Sequence, residues 1–168
     1  TKAENHLLYT PFWRWYILSS LRGHFSSVRL LNTTDLQNNQ SVLWHGTHVS
    51  FWDGYLGVLL AQHFKLEYRV MMLEDNLSKF SFLRFAGAFG VARGSARGAL
   101  ESLRFAAAEL QKTPARAMLM FPSGEIGSPH LRPIPFESGV AALANLAAKE
   151  QDLMVCALAI RLEYGSEA

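Results

Sequence analysis

His48 and Asp53, with four residues between them, are the pair in this sequence best suited to moving a proton. A carboxylate can only accept a hydrogen bond from an imidazole, so contact between the two would protonate one ring nitrogen and leave the other as a base. On one continuous helix, five residues turn through about 500°, or about 140° net, and the two side chains would diverge. The segment Trp44-His45-Gly46-Thr47-His48-Val49-Ser50-Phe51-Trp52-Asp53 avoids this if a strand ends near His45, a short loop carries His48 and a helix opens near Ser50. Asp53 then falls in the first helical turn, and the imidazole can fold back onto it. Such a pair suits removal of a proton from an alcohol attacking a thioester, with the aspartate fixing the tautomer and steadying the imidazolium. The same residues carry two other readings. Ser50 and Asp53 have the spacing of a helix capping box, with Asp in place of Glu or Gln. His45 and His48 form a His-x-x-His pair that could hold a metal with Asp53 as third ligand, as in a metal-dependent hydrolase.

Two further segments could meet a substrate. Gly90-Val91-Ala92-Arg93-Gly94-Ser95, followed by Arg97 and Gly98, reads as strand, tight turn and helix start. Backbone N–H groups at a helix N-terminus, with an arginine beside them, make an anion site. Phe121-Pro122-Ser123-Gly124-Glu125 opens a long polar loop that ends at Ser138, a residue suited to cap the next helix. There is no Gly-x-Ser-x-Gly nucleophile elbow, no phosphate-binding P-loop and no Gly-x-Gly-x-x-Gly fingerprint, which argues against a serine hydrolase and against nucleotide-binding folds.

Alternating elements must position these segments. Strand-like runs appear at Ser27–Leu31, Ser41–His45, Tyr68–Leu73, Phe89–Arg93, Arg116–Phe121 and Leu153–Leu162. Helical stretches fall at about Phe51–Phe64, Ser78–Phe85, Ala96–Gln111 and Ser138–Lys149, and Ser95 is placed to cap the third. The alternation implies an α/β fold, a mostly parallel sheet flanked by helices, with its site at the carboxyl ends of the strands. Residues 1–26 read as an N-terminal aromatic-rich helical segment and 27–168 as the α/β domain, truncated at its C-terminus. Phe12, Trp13, Trp15, Ile17 and Leu21 surround a helix rather than line one stripe of it, and Arg14, Arg22 and Arg29 lie among residues 5–34 with no acid. That composition suits either a membrane interface facing anionic lipid or a helix closing the domain's own core.

The bulk composition narrows the classes further. Half the chain is apolar (49%), enough for one sizeable core in 168 residues. A net charge of +2 leaves no footprint for nucleic acid. The single cysteine, Cys156, excludes a disulfide framework and fits a reducing compartment. The apolar runs Phe12–Leu21 and Phe80–Ala92 are interrupted by Arg14 and Arg84, and both fall short of the roughly 20 residues that span a bilayer.

Taken in order, the segments resemble the glycerolipid acyltransferase family, which includes the lysophosphatidic acid acyltransferases. The likeness runs from about Val28 to Glu163. His48 and Asp53 match the family's catalytic motif. Gly90 to Arg93 match its second block, and Phe121-Pro122-x-Gly124 its third. Pro135-Phe136-Glu137-Ser138-Gly139 match the Pro-Phe-x-x-Gly that opens the next helix, and Ala157 to Arg161 resemble the fourth block. The sequence departs from the pattern at several places. Thr47 replaces an asparagine, Ser123 a glutamate and Glu125 a threonine; Cys156-Ala157 stand where a proline is usual, and the lysine before the second block is missing. The resemblance implies direct acyl transfer from acyl-CoA or acyl carrier protein to a hydroxyl of a lysophospholipid or related lipid, with no cofactor and no bound metal. His48 would be the base and Asp53 its orienting partner. Arg93, with Arg97, would hold an anionic group of the acceptor, and Ser123, Gly124 and Glu125 would shape its pocket. It implies a peripheral protein on the cytoplasmic face of a membrane. A rival is a non-catalytic lipid-binding domain that keeps the fold.

Overall fold

The computed structural model describes residues 9–31, 35–37, 39–92, 94–112, 115–128, 130, 133, 134, 136–150, 152–163 and 165. Along them lie α1 (Tyr9–His24), β1 (Ser41–Gly46), α2 (Trp52–His63), β2 (Glu67–Leu73) and α3 (Glu74–Lys79). A 3₁₀ segment (Ser81–Ala86), β3 (Ala88–Val91), α4 (Ala96–Leu110), β4 (Arg116–Met120), α5 (Gly139–Ala147) and β5 (Leu153–Leu158) follow. The five strands form one sheet in the order β3-β2-β4-β1-β5, and every pairing is parallel. All five therefore end at the same edge, which is where the parallel α/β reading places the site.

The period of two along each strand divides the core between the two faces of the sheet. Val42, Trp44, Tyr68, Val70, Ala117 and Leu119 point to one face and pack with Ile17 and Leu21 of α1 and Tyr55, Val58 and Ala61 of α2. Leu43, Met118 and Phe89 point to the other, against Ala106, Ala107 and Leu110 of α4 and Val140, Leu143 and Ala147 of α5. The near-continuous apolar runs of β1 and β4 are what a strand covered on both faces requires. Helix α2 lies close to the sheet because Gly57 has no side chain: a Cβ there would stand 2.6 Å from the Tyr68 hydroxyl and 2.8 Å from a Leu119 methyl.

The connections leave the centre of the sheet in opposite directions. From β1 the chain crosses by α2, on the first face, to β2; from the adjacent β4 it crosses by α5, on the second face, to β5. Adjacent strands whose connections diverge in this way, here β1 and β4, are where parallel α/β sheets place their sites.

Four sequence expectations are corrected. Residues 27–31 form no strand: Val28, Leu30 and Leu31 are exposed, with no neighbouring strand to complete their hydrogen bonds. The helix expected over Ser78–Phe85 is two short pieces, α3 and the 3₁₀ segment, which closes on Gly87 with a left-handed φ of 100°. The last strand stops at Leu158 rather than Leu162. Ser138 makes no capping hydrogen bond and is itself helical at φ −67°. Ser95 does cap α4, accepting from the Gly98 N–H at 3.0 Å.

Candidate active site

β1 ends at Gly46, and the chain crosses the sheet's edge in an extended loop before α2 begins at Trp52. His48 sits in that loop and Asp53 in the first turn of the helix, so the imidazole folds back onto the carboxylate. Nδ1 of His48 lies 2.9 Å from Oδ2 of Asp53. The same oxygen accepts from the Val49 N–H at 2.8 Å and the Ser50 N–H at 2.9 Å. Ser50 Oγ in turn accepts from the Trp52 N–H at 3.1 Å. Asp53 thus holds the loop before the helix and the histidine through one atom. The expected capping box is only half made: Asp53 reaches back to the Ser50 N–H, but Ser50 Oγ does not meet the Asp53 N–H, and the residue before the helix, Phe51, makes no side-chain cap.

Asp53 is completely buried, whereas the His48 side chain retains 21% of its exposure. A carboxylate oxygen accepts, so Nδ1 is the nitrogen that donates its proton to Oδ2, and Nε2 then carries the lone pair. Oδ1 of Asp53 is buried without a hydrogen-bond partner among the described residues. Tyr68, nearby in the core, spends its hydroxyl on the Gly54 carbonyl at 3.0 Å. Burial, and then the charge of Asp53, push that phenol above its ordinary range, so it stays neutral.

The loop after β4 closes the other side of the site. Phe121 lies flat on the His48 ring, with centroids 4.0 Å apart and planes 12° from parallel. The Gly127 N–H donates to the His48 carbonyl at 2.8 Å. Between them is a tight turn in which the Gly124 N–H donates to the Phe121 carbonyl at 2.9 Å. Gly124 has a φ of 71°, the left-handed region that favours glycine. Ser123 Oγ donates to the Glu125 carbonyl at 3.0 Å, and the Glu125 side chain faces solvent. The Glu137 N–H returns to the Pro122 carbonyl at 3.3 Å, tying the start of α5 to this turn.

His45 and Arg97, the other expected residues that are described, stand apart from this group. His45, at the end of β1, sets its ring edge-on to Phe136, 5.5 Å away. Among the described residues no three His, Cys, Asp or Glu side chains come together to hold a metal ion, so the His45, His48 and Asp53 ligand set is not assembled. Arg97 is 90% exposed and bonds Glu101 one turn along α4 at 3.1 Å. β3, which leads to it, lies three strand positions from β1, about 14 Å at ordinary strand spacing. Arg93 lies outside the described residues. Sequence reasoning missed Phe121 and Gly127 as neighbours of His48. The period of two puts Phe121 on the same face as Leu119 but does not say which strand lies beside it.

The model of the Acyltransferase family matches residues 27–161, four-fifths of the chain and all five strands. The chain belongs to the acyltransferase family. This is the glycerolipid family that the ordered motifs resemble. No curated protein and no solved structure matches the chain. Family membership makes it an acyltransferase in the general sense, acting between an acyl donor and a lipid acceptor.

Proposed function

We propose that this acyltransferase moves a fatty acyl group from a thioester, acyl-CoA or acyl carrier protein, to a hydroxyl of a lysophospholipid or related lipid. His48 is the general base and Asp53 orients it. The observation that carries this reading is the 2.9 Å contact between Nδ1 and Oδ2 beyond the end of β1, the strand beside β4. It directs Nε2 away from Asp53, as a base must be. Nε2 takes the acceptor's proton as its oxygen attacks the thioester carbonyl. The C–S bond breaks, and the proton passes from His48 to the departing thiolate, so histidine is restored without an acyl-enzyme. The chemistry asks for no cofactor and no metal.

Arg93 and the Ser123–Glu125 turn take their place at the acceptor from the family motif. Arg97 joins them only by leaving Glu101, and an exposed pair of that spacing contributes just about 0.3–0.5 kcal/mol. The acceptor's location in a bilayer is supported by α1, whose exposed face carries Phe12, Trp15 and Tyr16. The family match begins after this helix, which supports treating residues 1–26 as a segment added to the α/β domain. No helix among the described residues is long and apolar enough to cross a membrane; the contact proposed here is peripheral, through α1. A cytoplasmic-face location fits the lone thiol.

Thiol release from acyl-CoA with a panel of lysolipids tests the reading. The intact chain should release thiol in an acceptor-dependent way, and His48→Ala should abolish release with an unchanged thermal melt. Turnover surviving in His48→Ala would falsify the assignment of the base, and a folded chain inactive with every donor and acceptor would favour a non-catalytic lipid-binding domain.

A further inference from the structure

A single hydrogen bond fixes the direction of one ring nitrogen but not the plane of the ring. The Nδ1–Oδ2 contact leaves the His48 imidazole free to swing about the line joining the two atoms. Two contacts from the β4–α5 loop remove that freedom. Phe121 lies 4.0 Å from the imidazole and within 12° of parallel, which sets its plane. The Gly127 N–H holds the His48 carbonyl at 2.8 Å, which sets the backbone beneath it. Phe121 is itself anchored. It packs on the first-face core beside Leu119, its carbonyl accepts from the Gly124 N–H, and Pro122 after it is buried.

We infer that Phe121 is a positioning residue for His48, and that the segment Phe121–Gly127 acts on the base as well as lining the acceptor's side of the site. This rests on the proposed role of His48. It gives the third segment a duty that survives the replacement of its usual glutamate by Ser123, because neither contact uses that side chain. The stacked ring also covers one face of the imidazole against water and offers its π-face to the positive charge that forms during transfer. Phe121 touches neither the acceptor hydroxyl nor the thioester in this account. Its effect is on the rate of the chemical step and not on the affinity for either substrate.

The test combines ring-proton NMR with steady-state kinetics on the full chain. In the unsubstituted protein the His48 ring protons should be shifted upfield by the stacked Phe121. The shift should vanish in Phe121→Leu and Phe121→Met and return in Phe121→Tyr. Phe121→Leu should lower kcat roughly tenfold through lost orientation, with KM for the acyl acceptor unchanged. Phe121→Met, closer in length and more adaptable in shape, keeps the experiment readable should the leucine variant fold poorly. Phe121→Tyr should recover the rate. A variant that loses the ring-current shift yet keeps kcat overturns the inference. So does one that raises KM alone, since Phe121 would then be an acceptor contact. Full turnover in His48→Ala would instead remove the reading beneath it, while leaving the ring-current result to stand as geometry.

Discussion

Asp53 carries three hydrogen bonds on one oxygen, and the two jobs this implies can be separated by substitution. Asparagine keeps an oxygen for the Val49 and Ser50 N–H groups, so Asp53→Asn should stay within about 1 kcal/mol of the parent in a urea melt. Because all three contacts fall on that one oxygen, the asparagine oxygen still accepts from Nδ1, and what the change removes is the charge that steadies the imidazolium; kcat should fall by orders of magnitude. Alanine removes the acceptor altogether. Asp53→Ala should be equally inactive and, in addition, less stable by about 1–3 kcal/mol, because two N–H groups lose their partner near the core. Activity in Asp53→Asn within tenfold of the parent would leave Asp53 as a loop anchor alone. The sequence made this pair legible because the His–Asp spacing spans a loop-to-helix junction, and a helix start can be read from Ser50 onward. It did not make Phe121 legible as a partner, since stacking across β1 and β4 depends on which strands are neighbours, and order in a parallel sheet is not written in any local pattern.

At the scale of elements, the opposite edge of the sheet holds a buried ionic cluster that joins β2, β4 and α4. Glu109, near the end of α4, accepts from Arg69 of β2 at 3.1 Å and also meets Arg116 of β4 and Lys112. Glu67 binds Arg69 and Arg116 at 3.2 Å each. Burial pushes the Glu109 carboxyl up, but Lys112, Arg69 and Arg116 outweigh it and hold the group below its ordinary value. A carboxylate depressed in the folded state contributes stability above its unfolded pKa, and that contribution fades as pH falls through the folded one. Glu109→Gln should therefore cost about 1–3 kcal/mol at pH 7, where Arg69 and Arg116 lose one carboxylate but keep Glu67. Urea melts should show the gap between parent and variant narrowing below the usual carboxylate range. An equal gap at pH 7 and in acid would mean that Glu109 contributes shape and not charge. None of this cluster could be read from the sequence, because Arg69, Glu109 and Arg116 are ordinary charged residues until the fold brings them together. The strands and helices themselves were readable where apolar periodicity and burial agree, as in β1, β4 and α4. Residues 27–31 show the failure: strand-forming residue types do not make a strand without a neighbour to pair with. Ser138 shows another, since a residue type suited to capping does nothing once its own backbone has joined the helix.

For the whole molecule, α1 is the element whose two sides face different surroundings. Ile17 and Leu21 are buried in the core over β1 and β2, and Trp13 stacks on Phe82 at 4.5 Å. Phe12, Trp15 and Tyr16 are exposed at 51%, 64% and 43%. The helix thus has a core side and an outward apolar side. Arg14, Arg22 and Arg29 are exposed and residues 5–34 contain no acid, although at 100° per residue Arg14 falls on the side of α1 away from Phe12, Trp15 and Tyr16, and Arg29 lies beyond the helix. A surface with aromatic rings and uncompensated arginines should bind anionic bilayers, the rings supplying apolar burial and each arginine about 1 kcal/mol near a charged surface. Removing the whole helix is a poor test, because it would strip Ile17 and Leu21 from the core and confuse binding with folding. Phe12→Ser with Trp15→Ser acts on the outward side alone. The double variant should melt within a few degrees of the parent, yet sediment with anionic vesicles much more weakly. The parent's binding should weaken from low to physiological salt and be slight on neutral vesicles at either. Thiol release with an acceptor presented in vesicles should fall in the double variant, while release with a monomeric short-chain acceptor should not. Vesicle binding equal to the parent's would place the bilayer contact on another face, and equal loss with both acceptors would put Phe12 and Trp15 in the service of the site.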